Sequence, residues 1–98
     1  MANFLLKDVK KDTAGPETPM RVLGNREVPG KIALQIVLEG AATVHIQGRL
    51  AKEAPWLDIC PPLQASALLN IDPVPLLRAV SAGMGTDATV SVLVTWGW

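Results

Sequence analysis

The sequence predicts an all-β protein, a compact antiparallel β-sandwich or barrel with an extended N-terminal arm. Apolar and polar residues alternate with a period of two in several short runs, among them Ala42–Leu50, "ATVHIQGRL". Clusters of Gly, Pro and Asp separate those runs. Hydrophobic residues make up 49% of the chain but include one Phe and no Tyr, so Val, Leu, Ile and Ala supply the bulk, as suits strands.

Residues 1–30 form the predicted arm. "KDVKKDTAGPETPMRVLGNREVPG" mixes charge with Gly and Pro, and Pro16, Pro19 and Pro29 each lack the N–H that a ladder needs. Short edge strands are expected at Phe4–Val9 and Met20–Leu23. Such a terminus is either loosely ordered or, as is favoured, an arm that lies on a neighbour or on a shared sheet. Phe4, Leu5, Leu6, Val9, Met20 and Val22 give it anchors for a partner.

The sandwich domain occupies residues 31–98. In "IALQIVLE", Ile32, Leu34, Ile36 and Leu38 share one face and Ala33, Gln35, Val37 and Glu39 the other. Gly40 suits a tight connection into Ala42–Leu50, and the two runs are expected to pair as a hairpin with one wet face. Pro55 and Pro61–Pro62 bound a short strand in "WLDI", with Trp56 and Asp58 on one face. "LQASALLNI" permits a helical turn, but an irregular or extended path is preferred. "VPLLRAVSAG" is a strand running from Pro75 to Gly83, "GMGTDA" is a turn, and Thr89–Trp96 is the last strand, with Val90, Val92, Val94 and Trp96 on its apolar face.

Ninety-eight residues suit one domain with a thin core unless partners extend it. Nine basic residues balance nine acidic ones. That balance argues against nucleic acid, whose phosphates demand a cationic surplus, and gives little colloidal repulsion, as in a protein that lives assembled. No run is long enough for a membrane span. The N-terminus lacks the apolar core of a signal peptide, so synthesis in the reducing cytoplasm of a host is expected. Cys60 is the single cysteine, so no intrachain disulfide can form; a buried inert thiol is favoured over a pair between chains.

No catalytic, metal or cofactor site is expected. His45 is the only histidine, so a metal site has no second imidazole. No nucleophile motif accompanies it, and Glu53, Asp58, Asp72 and Asp87 each suit a local loop or turn role. "GMGTDA" lacks a P-loop lysine and opens onto a strand. The tryptophans say more. Trp96 belongs to the core face. Trp56 either plugs an end of the sandwich or stacks on a sugar or a partner. Trp98 is expected to pack on a neighbouring subunit, since tryptophan is favoured at interface centres. Arg78, between Leu76 and Val80, is either an interfacial arginine paired with a carboxylate, for which Asp58 is a candidate, or an exposed edge residue.

The order Val44-x-Ile46-x-Gly48-x-Leu50, then Trp56 and Ile59, then Pro75, Arg78 and Val80, then Val90-x-Val92-x-Val94 resembles the small β-sandwich virion proteins of tailed bacteriophages, in particular capsid decoration (cement) proteins. The resemblance covers roughly residues 30–96. It implies a structural subunit on the outer surface of the viral head, often trimeric, that binds the major capsid protein and carries no active site. The alternatives are a glycan- or surface-binding module that uses Trp56 and Trp98, and a tail or head-to-tail connection protein.

Overall fold

In the computed structural model, which describes residues 2–20, 32–72 and 74–95, the alternating runs become strands that stack as two antiparallel sheets. The strands are β1 (Ala2–Val9), β2 (Thr13–Ala14), β3 (Thr18–Pro19), β4 (Ile32–Glu39), β5 (Thr43–Arg49), β6 (Leu57–Asp58), β7 (Ala67–Ile71), β8 (Leu76–Ala82) and β9 (Thr89–Thr95). The first sheet has the order β1-β9-β4-β7. The second has the order β2-β8-β5-β6, and β3 also pairs with β8. The all-β expectation holds, in its sandwich form. No helix among the described residues is long and apolar enough to cross a membrane.

The core lies where the alternation puts it. Ile32, Leu34 and Ile36 of β4 and Val90, Val92 and Val94 of β9 are fully buried on the first sheet. Val44 and Ile46 of β5 and Leu77 and Ala79 of β8 are buried on the second. Register matches large with small across the second sheet: Ile46 sits opposite Ala79, Val44 opposite Ser81, and Leu77 opposite Gly48. Alternating bulk of this kind lets side chains of the facing sheet interdigitate.

The expected hairpin between Ile32–Glu39 and Ala42–Leu50 does not form. β4 pairs with β7 and β9, whereas β5 pairs with β6 and β8. The connection at Gly40 is a corner between sheets. Both strands carry a strongly apolar face, and placing them in opposite sheets lets those faces meet. Gly40 has φ +80°, and a Cβ there would lie 2.9 Å from the Cα of Ala88. The next residue's carbonyl, on Ala41, accepts from the Gly85 N–H at 2.7 Å and ties the corner to the β8–β9 turn. Among these strands only the β2–β3 and β5–β6 connections stay within one sheet. Residues 67–71, left between irregular and extended in the sequence, are the edge strand β7.

Over residues 2–20 the N-terminal segment is part of the sandwich: the edge strand expected at Phe4–Val9 forms, and it lies on this chain's own sheet. β1 pairs with β9, and β2 and β3 pair with β8. The run "FLL" does not alternate, and the ladder slips between Phe4 and Leu6. That bulge turns two consecutive leucines inward. Leu5, Leu6 and Met20 are buried in this chain's own core, and Val9 packs against it, so the first three are unavailable as anchors on a neighbour. Asp8 takes φ 49° at the next slip. Ser91 Oγ accepts from the Asp8 N–H at 2.9 Å and donates to the Asp8 carboxylate at 3.2 Å. Ser81 Oγ accepts from the Thr13 N–H at 3.1 Å and donates to the Lys11 carbonyl at 3.3 Å. Two buried serines thus satisfy the backbone where the chain crosses from one sheet to the other. Pairing occurs at Thr18–Pro19; of the strand expected from Met20 to Leu23, Arg21, Val22 and Leu23 lie outside the described residues.

Gly15 donates to the Ala79 carbonyl at 2.8 Å, and a Cβ there would stand 2.6 Å from the Leu5 carbonyl and 2.9 Å from that of Ala79. Both obstacles are backbone, so the chain must move to admit it. Gly15→Ala is expected to lower stability by about 1–3 kcal/mol, and Leu6→Ala by about 2–5 kcal/mol. Urea unfolding monitored by circular dichroism measures both. A detached arm would leave both variants as stable as the parent.

Candidate functional site

The outward face of β5 carries Thr43, His45, Gln47 and Arg49, and register sets Gln47 beside Arg78 and Arg49 beside Leu76 on β8. β6 brings Asp58 opposite Gln47. These strands assemble a continuous polar chain. Asp58 contacts His45 Nδ1 at 3.2 Å through one carboxylate oxygen and accepts from Gln47 Nε2 at 3.0 Å through the other. The Gln47 carbonyl oxygen then accepts from Arg78 Nε at 2.8 Å. The Arg78 guanidinium lies over the Trp56 ring at 4.5 Å, and that of Arg49 over the same ring at 4.4 Å.

Arg49 is the residue that sequence reasoning missed. It ion-pairs with Glu17 and donates through Nη1 to the carbonyls of Lys52 at 3.0 Å and Ala54 at 3.3 Å. One guanidinium thereby gathers the loop between β5 and β6, the start of β3 and the indole. The signal for it was present in the period-two polar row of β5, where Arg49 follows Thr43, His45 and Gln47 on one face. Its partners were not legible, because Glu17 is far away in sequence. Arg78 and Trp56, both singled out from the sequence, are brought together. The expected ion pair between Arg78 and Asp58 is not made. Asp58 is taken up by His45 and Gln47, and Arg78 reaches it only through the Gln47 amide.

Hydrogen bonds from Gln47 and then from His45 hold the Asp58 carboxyl below its usual pKa. The Cys60 thiol is pushed above its usual value, first by burial and then by the negative charge of Asp58. Cys60 is therefore a poor nucleophile at neutral pH. Among the described residues, no three His, Cys, Asp or Glu side chains come together as a metal site.

The opposite surface of the molecule is apolar. Phe4 of β1 pairs with Leu93 of β9, Leu93 with Gln35 of β4, and Gln35 with Leu68 of β7, so one row crosses all four strands of the first sheet on its outward face. Leu68 is 76% exposed, Val37 43% and Phe4 39%. Ala33, Gln35, Leu68, Leu93 and Thr95 line a shallow groove along this row. Of the expected partner-binding residues, Phe4 lies on this face, Trp56 and Arg78 lie on the other, and Val22 and Trp98 fall outside the described residues, as does Trp96. Comparison with protein-family models, with curated proteins and with solved structures gave no match.

Two measurements follow from the polar chain. Folding favours the ionised form of Asp58, so its contribution is present above the ordinary carboxylate range of about 4 and is lost as pH falls through the lowered native value. Asp58→Asn is expected to melt below the parent at neutral pH, and the gap should close on acidification, as thermal melts across a pH series will record. Cys60 is expected to react with iodoacetamide more slowly than free cysteine at neutral pH, and faster in Asp58→Asn, as mass spectrometry over time will show.

Proposed function

We propose that this chain is a structural virion protein, a capsid decoration (cement) subunit that binds the outer surface of a tailed-phage head and braces contacts between major capsid proteins. The observation that carries this reading is the row Phe4–Leu93–Gln35–Leu68, with Val37 beside it, on the outward face of the first sheet. Apolar side chains, Phe4, Val37 and Leu68 among them, spread across a four-stranded face leave apolar surface in water until another polypeptide covers it. A β-sheet suits such a contact because its side chains are held in fixed positions by the ladder beneath them. The resemblance of residues 30–96 to cement proteins names the kind of surface that covers it. Trimerisation, which that resemblance also implies, lets modest single contacts add up to firm attachment. Trp56 is half-buried and already stacked with Arg49 and Arg78, so it is not laid open as a sugar platform.

Antibody labelling of virions that carry this protein is expected to mark the head surface; label confined to the tail would move the subunit to the tail or connector. In native mass spectrometry the expected species is a trimer. Leu68→Glu is expected to weaken sedimentation with stripped heads by roughly tenfold or more, the cost of setting a charge in an apolar contact. Its melting temperature should match the parent's, because Leu68 is exposed. Undiminished binding by Leu68→Glu would reject this face as the contact.

A further inference from the structure

The two arginines of the polar face are not equivalent. Arg49 is engaged at its terminal nitrogens, by a carboxylate and two carbonyls, and its buried Nε has no partner among the described residues. Arg78 is held at one end only. Its Nε donates to Gln47, Gln47 is held in turn by Asp58, and the indole of Trp56 covers the guanidinium plane. Among the described residues, no hydrogen-bond acceptor meets its two terminal nitrogens and no carboxylate lies within ion-pair distance. A guanidinium fixed in plane, with its terminal fork unmet among the described residues, has already lost most of the side-chain freedom that binding would otherwise remove.

From this geometry we infer that Arg78, backed by Trp56 and Gln47, is a receptor for one carboxylate, and that the carboxylate is an Asp or Glu side chain within a partner polypeptide. Charge selects the class. Arg49 and Arg78 are offset by Glu17 and Asp58, so the cluster has no cationic surplus for a phosphate dianion, whereas the open fork matches a single carboxylate. The surroundings select the source. Leu50 and Leu57, the chain neighbours of Arg49 and Trp56, are 77% and 67% exposed. Exposed aliphatic surface one residue along the chain from the clamp offers an acid carried within a polypeptide apolar contacts that a free acid lacks. The inference does not depend on what covers the first sheet, because this site lies on the other side of the sandwich.

The test uses the whole chain and the Arg Nε–Hε and Trp indole resonances. Ac-Leu-Glu-Leu-NH2 is expected to shift the Arg78 and Trp56 signals saturably, with affinity of about millimolar or better. Ac-Leu-Gln-Leu-NH2, acetate and inorganic phosphate should each bind roughly tenfold more weakly or less. Arg78→Lys keeps the charge but loses the fork, and is expected to lose the response to the Glu peptide by a similar factor. Comparing Glu with Gln on the unaltered chain keeps the test independent of any folding defect in that variant. Leu68→Glu should bind the peptide like the parent, which separates this site from the head-binding face. Equal shifts from the Glu and Gln peptides would overturn the carboxylate assignment. Equal affinity for acetate or phosphate would reduce the site to a general anion contact and overturn the peptide assignment. Silence at Arg78 would overturn both.

Discussion

Backbone from both sheets converges on Gly15, and the rest of the sandwich is arranged around that approach. The Leu5 carbonyl belongs to the first sheet and the Ala79 carbonyl to the second, yet a single added carbon at Gly15 would collide with both. Sheets packed face to face normally keep their backbones about 10 Å apart, separated by side chains. Here the N-terminal segment passes from one sheet to the other, so along this edge the chain itself closes the gap. Leu5 and Leu6 enter the core before the crossing and Met20 enters after it. Ser91 and Ser81 satisfy the backbone on the way. A small domain is short of apolar area, and this segment contributes buried side chains at three points.

Closure of that edge also divides the surface into two kinds. The first sheet turns outward a row that is apolar except for Gln35, while the second turns outward a chain of charge and hydrogen bonds. Both faces are rigid, for different reasons. The apolar row is fixed by ladder register. The polar face is fixed by linkage, in which Asp58 orients Gln47, Gln47 orients Arg78, and the indole of Trp56 carries both guanidiniums. Cation–π contacts of this kind are worth about 0.5–2 kcal/mol each, enough to hold a side chain in place but too little to hold the fold. Cohesion belongs to the core.

Such a molecule suits a life among other polypeptides. Its charge is balanced, its strands alternate between sheets, and its contacts are mostly remote in sequence. Remote pairing is slow to form, since distant segments must meet before any contact stabilises them. Once formed, it gives a stiff plate with two unlike faces. In the proposed function, one face would spread over an apolar contact and the other would clasp an acidic side chain.

The sequence by itself determined the all-β class, β4, β5, β8 and β9 to within a residue at each end, and which residues of β4, β5 and β9 face the core; on β8 it left the face of Leu76, Arg78 and Val80 open, and it is Leu77 and Ala79 that are buried. A period of two is a local property that one strand displays without reference to any other. It also placed Gly40 in a turn, and Trp56 and Asp58 on one side of their short strand. Tertiary structure alone decided the partners. Alternation shows which face is apolar but not which strand lies alongside, so the apparent hairpin of β4 and β5 became a corner between sheets. For the same reason a segment rich in charge and proline proved to be core. Its two leucines turn inward through a bulge, and bulges depend on the neighbouring strand. The Arg49–Glu17 pair and the link from Asp58 through Gln47 to Arg78 needed register across three strands, and register is settled only when the two apolar faces close on each other.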